Sequence, residues 1–203
     1  MLAKLKQRVQ QALTTEARAA HSIGLTPNRI SGLGIVLALL AALSFLKWQD
    51  RPFYLSLAVV LLLASGFCDA LDGVVARVYG QTTEFGGFLD SVLDRYADAA
   101  VYVAITISGL CDALSGTLAL TGSLLVSYSR ARAEAANVKM ESVGIAERAE
   151  RMIILVLATL IAIFWQPARI IEAAIILLAI ITNLTVAQRG IYAYEKLKKK
   201  EAG

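Results

Sequence analysis

Apolar residues run along this chain in six long stretches separated by short polar breaks. The stretches cover about 30–47, 53–75, 86–110, 113–131, 150–166 and 168–192. Each is near the roughly 20 residues that an α-helix needs to cross a bilayer core. The pattern predicts an all-α, polytopic membrane protein with six transmembrane helices. Ahead of them, Lys4, Lys6 and Arg8 interleave with Leu2, Leu5, Val9 and Leu13 at a two-faced helical spacing. That spacing predicts an amphipathic helix on the membrane surface, with a solvated helical arm as the plainer alternative. The expected division is therefore 1–28, a cytoplasmic-surface helix, and 29–203, a six-helix membrane domain.

Composition agrees with this frame. Of the 203 residues, 57% are hydrophobic, above the roughly 45–50% of soluble domains, and the mean hydropathy is +0.62. Cys68 and Cys111 lie in or beside apolar runs and read as small hydrophobes, not as a disulfide framework. Residues 1–29 lack the apolar core of a cleavable signal peptide. Charge then gives a direction. Lys4, Lys6, Arg8, Arg18, Arg29, Arg77, Arg130, Arg132, Lys139, Arg148, Arg151, Arg189, Lys196, Lys198, Lys199 and Lys200 fall on one side of the expected membrane, against Lys47, Arg51 and Arg169 on the other. The positive-inside rule places both termini and the 130–151 connection in the cytoplasm of a multi-pass cell-membrane protein. A net charge of +4 sided in this way points to membrane lipid, and no nucleic-acid partner is expected.

The most informative polar residues sit inside this apolar frame. The second stretch ends in Asp69-Ala70-Leu71-Asp72-Gly73-Val74-Val75-Ala76-Arg77, and the third opens with Gly86-Gly87-Phe88-Leu89-Asp90-Ser91-Val92-Leu93-Asp94. An unpartnered buried carboxylate costs several kcal/mol, of order 2.5–3.5 or more at a bilayer centre, and clustered carboxylates repel each other besides. Asp69 and Asp72 share one helix face, as do Asp90 and Asp94, and two antiparallel helices joined by a short turn would bring the pairs together. An ion-pair network with Arg77 and Arg95 is the plainer reading, but the acidic groups outnumber those cations. An all-oxygen site suits Mg²⁺ or Mn²⁺, with room for two ions bridging a diphosphate. Gly73, Gly86 and Gly87 read either as close helix packing or as space for a ligand. Asp98 extends the Asp90–Asp94 stripe and reads as structural, paired with Arg95 at i,i+3.

Asp-x-x-Asp-Gly-x-x-Ala-Arg, eight residues, then Gly-x-x-x-Asp-x-x-x-Asp resembles the signature of the CDP-alcohol phosphatidyltransferases. Asp69, Asp72, Gly73, Ala76, Arg77, Gly86, Asp90 and Asp94 fill every position. The resemblance implies six transmembrane helices, a homodimer, and transfer of a phosphatidyl-type group from a CDP-lipid to an alcohol with release of CMP. It further implies that Asp69, Asp72 and Asp90 are metal ligands, and that Asp94, at the same metal, is the general base. Gly73, Ala76, Arg77 and Gly86 would cradle the CDP moiety with Asp69. Leu25-Thr26-Pro27-Asn28-Arg29 resembles the family element that enters the nucleotide pocket, which implicates Pro27 and Asn28.

The acceptor is read from arginines in the last three stretches. Arg130, Arg132, Arg148, Arg151 and Arg189 fall at the depth of the aspartates. Anchoring to anionic lipid would use Lys and Arg interchangeably. All five are Arg, the better fork for phosphate oxygens, so an acceptor carrying its own phosphate fits. Ser127-Tyr128-Ser129-Arg130-Ala131-Arg132-Ala133-Glu134 and Glu147-Arg148-Ala149-Glu150-Arg151 resemble the acceptor-phosphate pocket of the family branch that uses inositol phosphate. Ser127, Arg132, Arg151 and Arg189 match that branch, Arg130 replaces a usual lysine, and Ala149 replaces a frequent proline. Inositol 1-phosphate is the expected acceptor, and glycerol 3-phosphate is the alternative. The donor is left open between CDP-archaeol and CDP-diacylglycerol, because hydrocarbon contact is non-directional. Outside the family, an intramembrane prenyltransferase would need a second aspartate motif. A divalent-cation transporter would place its acidic groups near the midplane.

Overall fold

The computed structural model describes residues 13–51, 53–140, 143–145 and 147–201. Its regular elements are α1 (Thr14–Ser22), α2 (Pro27–Leu46), α3 (Phe53–Val78), α4 (Glu84–Ile107), α5 (Ala113–Ala135), α6 (Arg148–Phe164) and α7 (Pro167–Glu201). There is no strand among the described residues, as the apolar pattern predicts. Among the described residues, three helices are long and apolar enough to cross a membrane: Pro27–Leu46, Phe53–Val78 and Pro167–Lys200. Helix α4 carries Asp90, Asp94, Arg95 and Asp98, and α6 has only 17 residues. Of the expected surface helix, Leu2, Lys4, Leu5, Lys6, Arg8 and Val9 lie outside the described residues. Helix α1 lies against α3 and buries Ala17 and Ala20 beside Cys68, Leu71, Val74 and Val75.

Local chemistry starts and stops these helices. Pro27 opens α2 at a position where its missing N–H costs nothing. The Thr83 hydroxyl accepts from the Gly86 amide at 2.9 Å and caps α4. Asp112 caps α5 by accepting from the Leu114 and Ser115 amides at 2.8 and 3.0 Å. The Ser115 hydroxyl adds a further bond, and together these donors hold the Asp112 carboxyl below the usual carboxylate range. Glu147 and Glu150 form a reciprocal capping box at the start of α6. Gly80, at φ 62°, turns the chain out of α3, with the Gln81 amide bonding back to the Ala76 carbonyl at 2.9 Å.

The six long helices pack as a closed ring in the order α2, α3, α6, α7, α5, α4. Phe45, Leu55, Leu62, Ile105, Leu110, Ile171, Ile175 and Leu178 fill its core. Close approaches use small residues: a Cβ on Gly122 of α5 would strike Thr182 of α7. The outer faces reverse the soluble pattern. Leu33, Val36, Leu40 and Leu43 on α2, Val60, Leu63 and Phe67 on α3, and Ile153, Leu157, Ile161 and Phe164 on α6 are all exposed. Hydrocarbon solvates such a belt and water does not.

The two aspartate helices bring Asp69 to Asp90 and Asp94, as expected, but not by packing directly on each other. Helices α3 and α4 each pack on α2, whose buried Ser31, Gly34, Ala38, Ala41 and Ala42 let both come close, and make no extended contact with one another. The space left between them is a cleft. Helix α7 also continues to Glu201 instead of ending near 192, because Tyr192, Ala193 and Leu197 pack onto Ala133, Val138 and Met140.

Candidate active site

The cleft opens where α2, α3, α4 and α6 converge, and Ser31, Gly34, Asp69, Asp72, Asp90, Asp94 and Arg148 line it. Helical period does the first part of the assembly: Asp69 and Asp72 project from one face of α3, and Asp90, Asp94 and Asp98 from one face of α4. One carboxylate oxygen each from Asp69, Asp90 and Asp94 lies within 4.8 Å of the other two. That spacing, with an all-oxygen donor set, could hold a hard divalent cation.

Asp72 is set apart from this trio. It is 6% exposed and accepts from the Ser31 hydroxyl at 2.5 Å. Ser31 is also 3.2 Å from the Pro27 carbonyl, so the start of α2 is tied to the aspartate helix α3. Asn28 reaches the site from the same end: a Cβ on Gly86 would lie 3.2 Å from its Oδ1 and 2.9 Å from the Thr83 hydroxyl. The space at Gly73 is covered by Arg77 of its own helix, whose Nη1 would lie 3.2 Å from an added Cβ. Ala76 lies on the next turn beside it. Two local groupings result: Ser31 links Pro27 to Asp72, with Asn28 beside Gly86, and Gly73, Ala76 and Arg77 share one side of α3.

The positive charge inside the cleft is Arg148, from the first turn of α6. Its Nη1 is 3.0 Å from both Asp69 and Asp94, and its Nε is 3.3 Å from Asp98. The Nη1 aims no N–H squarely at either oxygen, so this attraction is one of charge more than of directed hydrogen bonding. The sequence suggests Arg77 and Arg95 as the nearby cations. Arg95 does pair with Asp94, at 3.8 Å, while donating to the Ser91 carbonyl at 2.6 Å, and Arg77 rests on Gly73.

Asp98 does not pair with Arg95 as expected. It bonds Arg151 at 2.9 Å, Arg148 at 3.3 Å and the Ser123 hydroxyl at 3.3 Å. At i,i+3 the Arg95 side chain points to the opposite edge of the stripe, toward Asp94. Ser31, which lines the cleft, and Asp98, which adjoins it through Arg148, are polar residues that motif reasoning passes over. The signal for Asp98 was its place four residues beyond Asp94.

The other arginines fall into two groups. Arg151 and Arg189 are buried, at 4% and 3% exposure. Arg189 donates to the Val143 carbonyl at 2.9 Å and to the Val126 carbonyl, which fixes it beside Ser127 and under the 143–145 segment. Arg130 and Arg151 are near enough to Arg189 to interact with it electrostatically. Arg130 is exposed and paired with Glu134 at 2.9 Å, and Arg132 is exposed at the end of α5.

Known proteins resemble this chain along its length. Residues 24–186 match the family model described as CDP-alcohol phosphatidyltransferase. The archaetidylinositol phosphate synthase of Pyrococcus horikoshii is 38% identical over 203 residues, all of both chains. That of Methanothermobacter thermautotrophicus is 42% identical over 88% of each. The crystal structure of Mycobacterium tuberculosis phosphatidylinositol phosphate synthase with CDP-DAG bound superposes with a TM-score of 0.76 at 28% identity, covering 91% of this chain and 94% of that one. The same protein in complex with manganese and citrate gives 0.75 at 29%, covering 89% and 88%. With the aspartate spacing complete and gathered at one cleft, the chain belongs to the CDP-alcohol phosphatidyltransferase family and is an enzyme of that class.

Proposed function

We propose that this enzyme transfers a phosphatidyl-type group from a CDP-lipid to a hydroxyl of inositol 1-phosphate and releases CMP. One observation carries the reading: Arg148 joins the carboxylates of Asp69 and Asp94 to the Asp98–Arg151 pair, so an acidic subsite and a buried arginine subsite meet in one cleft. The names of the relatives support the inositol-phosphate acceptor and an archaeol-type donor lipid.

In this reading the acceptor oxygen bonds to the phosphorus that carries the lipid. The bridging P–O bond to CMP breaks, and the acceptor proton passes to the Asp94 carboxylate. Asp69, Asp72, Asp90 and Asp94 would hold Mg²⁺, or Mn²⁺ in its place, whose positive charge would offset the negative charge building on the departing CMP. Asp72 is steadied by Ser31 for this task. Pro27, Asn28, Gly73, Ala76, Arg77 and Gly86 receive the cytidine diphosphate, with no side chain at Gly73 or Gly86 to block its approach. Ser127, Arg130, Arg132, Arg148, Arg151 and Arg189 bind the acceptor's phosphate, and Arg151 and Arg189 supply the most rigid donors because they are buried. The chain crosses the membrane six times with both termini and the cleft in the cytoplasm, where the lipid and the water-soluble acceptor can meet.

An acceptor panel tests this. Purified enzyme receives CDP-archaeol or CDP-diacylglycerol, Mg²⁺, and one of inositol 1-phosphate, glycerol 3-phosphate, serine or free inositol. CMP release is expected with inositol 1-phosphate. A clear preference for glycerol 3-phosphate would replace the acceptor assignment.

A further inference from the structure

We propose that Asp98, outside the aspartate signature, is a positioning residue for the acceptor subsite. Its one carboxylate sets the placement of Arg148 and Arg151 relative to Asp94. The inference rests on the reading that these arginines bind the acceptor phosphate.

Arg148 and Arg151 occupy the first turn of α6, three residues apart on one face. Both circumstances are unfavourable. Like charges at i,i+3 repel, and a helix N-terminus disfavours cations. Arg151 is 4% exposed besides, and a buried guanidinium needs a compensating charge. Asp98 supplies it. Oδ1 lies 3.3 Å from Arg148 Nε and Oδ2 lies 2.9 Å from Arg151 Nη2. The Ser123 hydroxyl, from α5, donates to Oδ2 at 3.3 Å and braces the carboxylate from a third helix. Asp98 is one helical turn from Asp94, so a single rigid helix carries both the proposed base and the group that orients the arginines. The distance between the acceptor's phosphate and its reacting hydroxyl is thereby matched to the site.

The test is steady-state kinetics with both substrates varied, on wild type, Asp98→Asn, Ser123→Ala and Arg151→Ala, with melting in detergent as a fold check. Asp98→Asn keeps the shape and removes the charge that pairs with Arg151 and shares Arg148 with Asp69 and Asp94. It should raise the KM for inositol 1-phosphate about tenfold or more while the KM for CDP-lipid stays within about twofold. Ser123→Ala should shift the acceptor KM in the same direction by a few-fold. A merely structural residue would lower the melting temperature and move both KM values together; that result, or an unchanged acceptor KM, overturns the proposal. If Asp98→Asn does not fold, Ser123→Ala decides by the same comparison. An unchanged acceptor KM in Arg151→Ala would instead reject the arginine pocket itself, and the positioning role with it. A raised KM in Arg151→Ala with none in Asp98→Asn rejects the positioning role alone.

Discussion

In the proposed mechanism the chemistry turns on Asp94 and on Arg148, which lies 3.0 Å from it. Asp94→Asn keeps the shape of the side chain and removes its basicity. Turnover should fall by about 10²–10⁴-fold with CDP-lipid binding retained, measured by single-turnover CMP release and by a direct binding assay. Substantial turnover would remove Asp94 from the role of base. Arg148→Ala makes a less obvious prediction. Its guanidinium sits 3.0 Å from both Asp69 and Asp94, so it competes with any cation for those oxygens. The variant should bind Mn²⁺ more tightly, seen by electron paramagnetic resonance, while its acceptor KM rises. Weaker Mn²⁺ binding would show that the arginine organises the carboxylates instead of competing for them. The aspartates themselves were legible in the sequence, because spacings of three and four residues put them on common helix faces. Their partners were not. Ser31 reaches Asp72 across 41 residues and Arg148 reaches Asp98 across 50, and no local period reports such separations.

At the scale of elements, apolar run length gave the long helices to within a few residues, except at the end of α7. Errors collected where packing extends a helix past its apolar stretch, as at the end of α7, and where helix order around the ring decides neighbours. Nothing in the two aspartate segments says that α2 lies alongside both. Caps are the local features that a measurement can isolate. Asp112 is held ionised by Ser115 and backbone amides. A depressed carboxyl contributes stability that is present above its unfolded pKa and is lost as pH falls through its folded one. Asp112→Ala should therefore melt below wild type at about pH 6, and the gap should close toward about pH 3. A gap independent of pH would assign the loss to something other than the charge. Packing makes a second prediction. Gly122→Val should cost about 1–3 kcal/mol by pressing α5 away from Thr182 of α7. An added Cβ at Gly87 meets nothing within 4 Å, so Gly87→Ala should be neutral or stabilising, by up to about 1 kcal/mol.

The described residues form an apolar-faced ring of helices with carboxylates and an arginine clustered in its cleft. The proposed topology has a direct check. In a background lacking the buried Cys68 and Cys111, a cysteine at exposed Gln49 should react with an impermeant maleimide on intact cells. One at exposed Lys199 should react only after permeabilisation. The reverse pattern would invert the orientation. The central claim is that the cleft joins two phosphorylated substrates with loss of CMP. Its most direct measurement uses inositol 1-[³²P]phosphate with CDP-lipid and counts label in the lipid phase against CMP released. The account predicts one label transferred for each CMP, and loss of both in Asp94→Asn. CMP released without label entering the lipid, or label-independent CMP formation at the same rate, would contradict it.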